Sequence, residues 1–202
     1  MFQKNVQEKL KLFQAGTGQD KPVQLSSIDF HLIETGDGKA DLQIDLSTPC
    51  ILFKGLEKKK LQYFVNKKCA DYVIFENKKD QWFVHILELK RSVGSSEWET
   101  IKLQFAGALQ NAYALAGVLG IHIDLEHVKV YTVYRNDKLN DVANPAKLRC
   151  EIHERNRRAD SKEQTEWNAK SVEISFLDVI QLEHHKIKLD IETGVGKYSL
   201  TS

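Results

Sequence analysis

The chain has 202 residues, of which 42% are hydrophobic and 28% are charged. These values are ordinary for a water-soluble globular protein, and they exclude a disordered or collagen-like chain. No apolar run approaches the roughly 18 residues needed to span a bilayer, and the first residues are amphipathic rather than arranged as a signal peptide. We therefore expect a single domain over 1–202 with no membrane segment.

The charge distribution and the cysteine content limit the classes of function that we expect for this protein. The net charge is only +1, so the overall charge does not predict a polyanionic partner. The stretch from Lys54 to Arg91 is different, because it carries ten basic and five acidic residues. The three cysteines (Cys50, Cys69 and Cys150) form no C-x-x-C pair, which excludes a disulfide framework or zinc ribbon and predicts a reducing, cytoplasmic setting.

The first elements follow from hydrophobic spacing. Val6, Leu10 and Phe13 recur at helical intervals, which predicts a helix over 4–13 that ends before two glycines. Alternating runs at 28–34 and 40–46 flank a turn-rich segment and predict a β-hairpin.

Three further runs predict a meander of consecutive antiparallel strands. They cover 61–65, 70–76 and 81–90 and are rich in β-branched and aromatic residues. The connections between them are short, polar and contain Asn, Asp and Lys, as turns do.

A long helix follows the meander. Ser96 and Glu99 have the spacing of a capping box, and Gly120 is a plausible end for a helix over 98–119. Small residues on this helix allow a close approach to its neighbours. The next run, 127–135, alternates like a strand, so the helix is expected to cross over between two strands of one sheet.

The C-terminal third is harder to assign. Residues 136–170 are polar, and for 147–154 helix and strand both remain open. The runs 171–180 and 184–192 predict two more strands as an edge hairpin. The predicted fold class is α/β (α+β), with a mixed central sheet, a core over about 55–135, and elaborations over 1–54 and 136–202.

The meander brings chemically useful side chains together. In an antiparallel pair with a short turn, Asp71 at the start of one strand lies opposite the region from Glu88 to Lys90 at the end of the next. Alternation puts Glu88 and Lys90 on one face and turns Leu89 away. Two carboxylates repel each other unless a cation lies between them, and Mg²⁺ suits oxygen ligands.

These residues resemble the PD-(D/E)XK, or restriction-endonuclease-like, nuclease core. The resemblance rests on Asp71, on Glu88-x-Lys90 and on Gln104 in the following helix, and it covers about 60–135. It implies metal binding by Asp71, Glu88 and the carbonyl of Leu89, with Mg²⁺ as cofactor and Mn²⁺ as a substitute. It also implies that Lys90 is the catalytic lysine and that Gln104 lies near the metal or the attacked phosphate.

The resemblance leaves some positions open. Gln110 and Tyr113 are a weaker alternative to Gln104, since some exonuclease-type members place a glutamine and a tyrosine there. Ala70 stands where the nominal proline of the motif would precede the aspartate. The acidic residue expected on the helix before the sheet has three candidates, Glu8, Glu34 and Glu57.

The sequence thus predicts a metal-dependent nuclease that hydrolyses phosphodiester bonds in DNA, acting as a homodimer or with a partner protein. Lys67, Lys68 and Arg91 are expected to contact nucleic acid, whereas Lys78 and Lys79 should lie at the remote end of their strand. One alternative is a nuclease-like module that only binds nucleic acid or a partner protein. Another is a set of exposed salt bridges with no chemistry.

Overall fold

A computed structural model of the chain describes residues 4–14, 23–25, 30–35, 40–46, 48–56, 66, 68–140 and 161–200. Within these ranges the protein is a mixed α/β fold with two sheets. Three α-helices are described, namely α1 (Lys4–Gln14), α2 (Ser95–Leu119) and α3 (Lys162–Asn168). None of these helices is both long and apolar enough to cross a membrane.

The larger sheet has seven strands in the order β1-β4-β5-β6-β7-β9-β8. Their bounds are β1 (Val23–Leu25), β4 (Cys50–Lys54), β5 (Tyr72–Lys78), β6 (Gln81–Val93), β7 (Val128–Asp137), β8 (Ser171–Phe176) and β9 (Asp178–Lys188). Strands β6, β7 and β9 are parallel, and the other neighbours are antiparallel. The smaller sheet joins β2 (Phe30–Glu34), β3 (Ala40–Asp45) and β10 (Val195–Ser199).

The predicted crossover is confirmed, because α2 connects the parallel strands β6 and β7. The cap was predicted wrongly. The helix begins after Gly94, whose N–H donates to the Glu97 carboxylate at 3.1 Å, whereas Glu99 pairs with Lys102. Gly120 ends the helix as expected, with φ of 71° in the left-handed region where glycine is favoured.

The meander is present, but its first strand was assigned to the wrong segment. The run 61–65 lies outside the described residues, and the free side of β5 is taken by β4, which pairs from Cys50 opposite Glu76 to Lys54 opposite Tyr72. The segment 50–54 is short and apolar, and buried on both faces near its start. Such a run lacks the alternation that would have marked it as a strand.

The predicted flanking hairpins both exist, with different neighbours. Strands β2 and β3 pair as expected but build the second sheet with β10. Strands β8 and β9 pair with their turn at Leu177, several residues before the predicted break, and β9 lies inside the central sheet beside β7. Leu177 has a positive φ of 51°, an uncommon choice for a turn, which is why the sequence did not indicate it.

The central sheet is covered on both faces. On one face α2 packs on β6 and β8, and α1 packs on α2, in one cluster that includes Val73, Phe75, Val84 and Ile86. On the other face the smaller sheet contributes Leu32, Leu42 and Ile44 to a second cluster. Burial on both faces explains why β5 and β6 consist of nearly continuous apolar runs.

Helix α2 lies unusually close to the segment that leads into β5. A Cβ on Gly107 would overlap the carbonyl oxygen of Lys68. The contact is held by Asn66, whose side-chain amide donates to Leu103 O at 2.6 Å. Gly107 therefore sets how closely the backbone just before Asp71 approaches α2.

Two alanine substitutions in α2 should have opposite effects. Gly107→Ala should destabilise the protein by about 1–3 kcal/mol, because the Lys68 backbone has to move. Gly117→Ala should stabilise it by about 0.5–1 kcal/mol, since its added methyl meets no described atom within 4 Å and alanine favours helix. Urea unfolding of both variants measures the difference, and equal effects would contradict this packing.

Candidate functional site

The register of β5 and β6 places the predicted site residues. Tyr72 pairs with Leu87, so Asp71, one residue earlier, falls beside Glu88. Ile86 packs on the face that carries α2, whereas Leu87 and Leu89 belong to the cluster on the opposite face. Glu88 and Lys90 therefore point toward the α2 face, and Leu89 is turned away, as the alternation predicts.

Backbone and side-chain groups of four residues join into one small network. Asp71 Oδ2 accepts from the N–H of Leu89 at 2.8 Å, and Glu88 Oε2 accepts from the N–H of Asp71 at 3.2 Å. The ammonium of Lys90 forms an ion pair with Glu88 Oε1. The structure thus brings Asp71, Glu88 and Lys90 together at one end of the β5–β6 hairpin.

Glu88 is held in an unfavourable electrostatic setting. Its side chain is only 1% exposed, and burial, followed by the nearby charge of Asp71, raises its pKa to about 8. Lys90 opposes this shift without cancelling it. A buried carboxyl beside a second carboxylate favours either a proton or a cation.

This set of donors fits a small hard divalent ion. Mg²⁺ commonly takes one or two carboxylates and completes its shell with water and phosphate oxygens. Asp71 and Glu88 could supply two carboxylates, and Leu89 could supply the carbonyl that lies between Glu88 and Lys90 in the chain. Within the described ranges no three His, Cys, Asp or Glu side chains converge as a larger metal cluster.

Gln104 lies at the level of this site. Helix α2 runs back along β6 from Gly94, so Gln104 is about 15 Å along the helix while Glu88 is about 20 Å along the strand. Gln104 is 9% exposed, and its Oε1 accepts no hydrogen bond within the described part of the protein. Its neighbour Leu103 is bonded to Asn66, close to the segment entering Asp71.

Of the alternative pair, Tyr113 lies further away. It is about 28 Å along the same helix and stacks on Phe176 at the β8–β9 turn, with ring centroids 5.3 Å apart. Gln110 is about 24 Å along the helix, so it is as close to the level of Glu88 as Gln104 is. Its Oε1 is also buried and accepts no hydrogen bond within the described part of the protein. The geometry therefore leaves both glutamines as candidates, of which Gln104 is the more deeply buried.

The candidates for a third acidic residue are not brought to the site. Glu8 is exposed on α1, and Glu57 lies outside the described residues. Glu34 ends β2, next to Ile33, whose backbone bonds the hydroxyl of Tyr72 on the opposite face of the sheet.

The structure shows the positions of all the predicted basic residues except one. Lys68 and Arg91 are both exposed, and both are near the end of the hairpin that carries Asp71. Lys67 lies outside the described residues. Lys78 and Lys79 are at the other end of β5, as expected, and Lys78 is bound to the buried carboxylate of Glu76 at 3.0 Å.

A buried polar network on the other face of the sheet was missed by sequence reasoning. Burial lowers the pKa of His85, whose ring is hydrogen-bonded to Glu76 at 2.9 Å and to the hydroxyl of Tyr131 at 3.0 Å. Burial pushes the pKa of Glu76 up, but hydrogen bonds from His85, Thr48 and Lys78 outweigh this, so the pKa ends below its usual value. Glu76 and His85 are inaccessible, which indicates a structural role.

The adjacent histidines His184 and His185 lie on opposite faces of β9, because successive side chains of a strand alternate. His184 is buried among Trp98, Phe105 and Trp167 and bonds Thr132 at 3.0 Å. His185 instead stacks on Tyr131. They do not share one metal site.

Comparison of the chain with protein-family models, with curated protein sequences and with solved structures gives no match. The candidate site therefore rests on its own geometry.

Removing the Glu88 charge should stabilise the metal-free protein. Because the folded-state pKa is raised from about 4.5 to about 8, the folded protein holds a proton that the unfolded chain loses, and stability falls as pH rises through this window. Glu88→Gln should therefore be as stable as wild type near pH 4.5 and more stable by a few kcal/mol at pH 8.

Urea unfolding at both pH values in EDTA measures this effect. Glu99→Gln, at an exposed carboxylate on α2, is the matched control and should differ little from wild type. A Glu88→Gln variant less stable than wild type at pH 8 would mean that Lys90 already neutralises the site.

Proposed function

We propose that this protein is a metal-dependent nuclease of the PD-(D/E)XK type that hydrolyses phosphodiester bonds in DNA. The observation that carries the proposal is the pair of adjacent carboxylates, Asp71 and Glu88, with Lys90 bonded to the buried one. A divalent ion, Mg²⁺ or Mn²⁺, would be held by these carboxylates and the Leu89 carbonyl. When bound, it would neutralise charge on the attacked phosphate and acidify water.

The burial of Glu88 argues against a simple surface salt bridge. An exposed pair would tolerate any orientation and contribute little to stability. Here a carboxyl with a raised pKa is kept beside a second carboxylate, which costs folding free energy. Such strain is typical of a site that is selected for binding or catalysis rather than for stability.

The side chains of this chain have separable tasks in the reaction. Glu88 fixes the Lys90 ammonium, which then lies where it can orient an attacking water and balance negative charge that grows on the phosphate. Asp71 is fixed by the Leu89 N–H, so one of its oxygens is held while the carboxylate faces the site. Glu88 lies on strand β6, and Asp71 is bonded to the backbone of that strand, which gives more precise geometry than a loop.

Gln104 and the basic residues would handle the substrate. The free amide oxygen of Gln104 can accept a hydrogen bond from water near the metal. Lys67, Lys68 and Arg91 would contact phosphates on the approach to the site. The backbone of Lys68 packs against Gly107 of α2, so one contact positions both Lys68 and the chain that leads to Asp71.

A plasmid-cleavage assay tests the proposal. Wild type should nick or cut DNA with Mg²⁺ or Mn²⁺ and be inactive in EDTA. Lys90→Ala should lose at least about 100-fold in cleavage rate, since a general-acid/base or charge-balancing group typically contributes that much. Its circular dichroism spectrum and melting temperature should stay close to wild type.

Lys79→Ala is the matched control, because it removes an exposed lysine at the remote end of β5 and should cleave like wild type. Wild-type protein that binds DNA but never cuts it would replace the nuclease by a binding module. Loss of the melting transition in Lys90→Ala would make this lysine structural.

A further inference from the structure

The chain that leads into Asp71 lies along one side of helix α2. The backbone of Lys68 packs against Gly107, and the buried sulfur of Cys69 accepts a weak hydrogen bond from the side chain of Asn111 at 3.7 Å. Gly107 and Asn111 are four residues apart and therefore occupy the same face of the helix. This face of α2 is the surface on which the backbone before Asp71 rests.

Asn66 begins this contact and uses both ends of its side-chain amide. Its Nδ2 donates to Leu103 O at 2.6 Å, and its Oδ1 accepts from the N–H of Lys68 at 3.0 Å. The bond to Lys68 closes a short turn of the Asx type, and the bond to Leu103 ties that turn to the helix one turn before Gly107. A single side chain therefore sets both the shape of the turn and its position on α2.

The backbone between this turn and the carboxylates is tightly packed. Cys69 and Ala70 are only 2% and 0% exposed, and the next residue, Asp71, is bonded to β6 through both its N–H and its carboxylate. Close-packed side chains and backbone transmit a displacement to their neighbours rather than absorbing it. A shift of the turn on α2 therefore moves the Asp71 carboxylate relative to Glu88.

We propose, resting on the nuclease function proposed above, that Asn66 is a positioning residue for the metal site. It holds the turn before Asp71 on α2 and so keeps the Asp71 carboxylate at the separation from Glu88 that one divalent ion requires. Asn66 acts through Asp71 rather than as a ligand, because its amide nitrogen and oxygen are both bonded within the protein. Mg²⁺ demands near-ideal coordination geometry, so a small displacement of one ligand weakens its binding.

The test measures binding of Mn²⁺, the paramagnetic substitute for Mg²⁺, by electron paramagnetic resonance of the free ion near pH 8. Asn66→Ala removes both bonds and should weaken Mn²⁺ binding about tenfold, as loss of a residue that orients a metal ligand does. Asn66→Ser retains a side-chain oxygen for the turn but is too short to reach Leu103 O, so it should fold and show a similar loss. Asn168→Ala is the matched control, because it removes the bonds of an exposed asparagine on α3 and should bind Mn²⁺ like wild type.

Cleavage of plasmid DNA gives a second readout, because a higher metal concentration compensates for a displaced ligand. In Asn66→Ala the Mn²⁺ concentration for half-maximal cleavage should rise about tenfold. The cleavage rate at saturating Mn²⁺ should return to within a few-fold of the wild-type rate. A residue that only stabilises the fold would lower the melting temperature and leave the half-maximal Mn²⁺ concentration unchanged.

The nuclease proposal and this inference fail in different ways. Wild type that binds Mn²⁺ and cuts DNA, with Asn66→Ala and Asn66→Ser equal to it in both measurements, would overturn this inference alone. Equal losses of Mn²⁺ affinity in Asn66→Ser and Asn168→Ala would mean a general effect of lost stability and would also overturn it. Wild type that binds no Mn²⁺ and cuts no DNA would overturn the nuclease proposal and this inference with it.

Discussion

The central constraint in this protein is that the β5–β6 register places two carboxylates side by side, one of them buried, at one end of the hairpin. Asp71 and Glu88 are bound to each other's strand backbone, so they cannot separate without breaking the hairpin pairing. Burial of Glu88, followed by the nearby charge of Asp71, raises the pKa of Glu88 to about 8. A proton or a cation at Glu88 would relieve this repulsion, and Lys90 offsets the rise in pKa only in part.

Packing of the surrounding elements holds this end of the β5–β6 hairpin in place. Helix α2 packs against the segment before Asp71 through Gly107, where no larger side chain fits. The same helix brings the buried oxygen of Gln104 to the level of Glu88. On the opposite face, the smaller sheet covers Leu87 and Leu89, so the strand that carries Glu88 and Lys90 is held from both sides. The unfavourable free energy of burying Glu88 beside Asp71 is thus compensated by packing in the surrounding structure.

The sequence predicted the local parts of this arrangement best. A hairpin with a short polar turn and strict alternation determines which side chains meet, and this was sufficient to place Asp71, Glu88 and Lys90 together. The ends of α2 were nearly correct because Gly120 is a strong local stop. These features depend on neighbours within about twenty residues along the chain.

Features that depend on distant partners were not predictable in the same way. The residues of 50–54 and of 61–65 do not by themselves indicate which segment pairs with β5, because strand pairing also depends on contacts with the rest of the protein. Helix α3 is short and polar, and it is stabilised by Trp167 packing under Lys186 rather than by its own propensity. His85 and Glu76 read as ordinary strand residues until the tertiary structure buries them together.

The measurement that tests the central claim most directly is a Mn²⁺ soak of a crystal, with an anomalous difference map calculated at the manganese edge. The account predicts one peak between the Asp71 and Glu88 carboxylates, within coordination distance of about 2.1–2.3 Å from an oxygen of each. The peak should disappear in Glu88→Gln. A peak elsewhere, or wild-type crystals in which Lys90 remains bonded to Glu88 and no ion enters, would contradict the assignment of this carboxylate pair as a metal site.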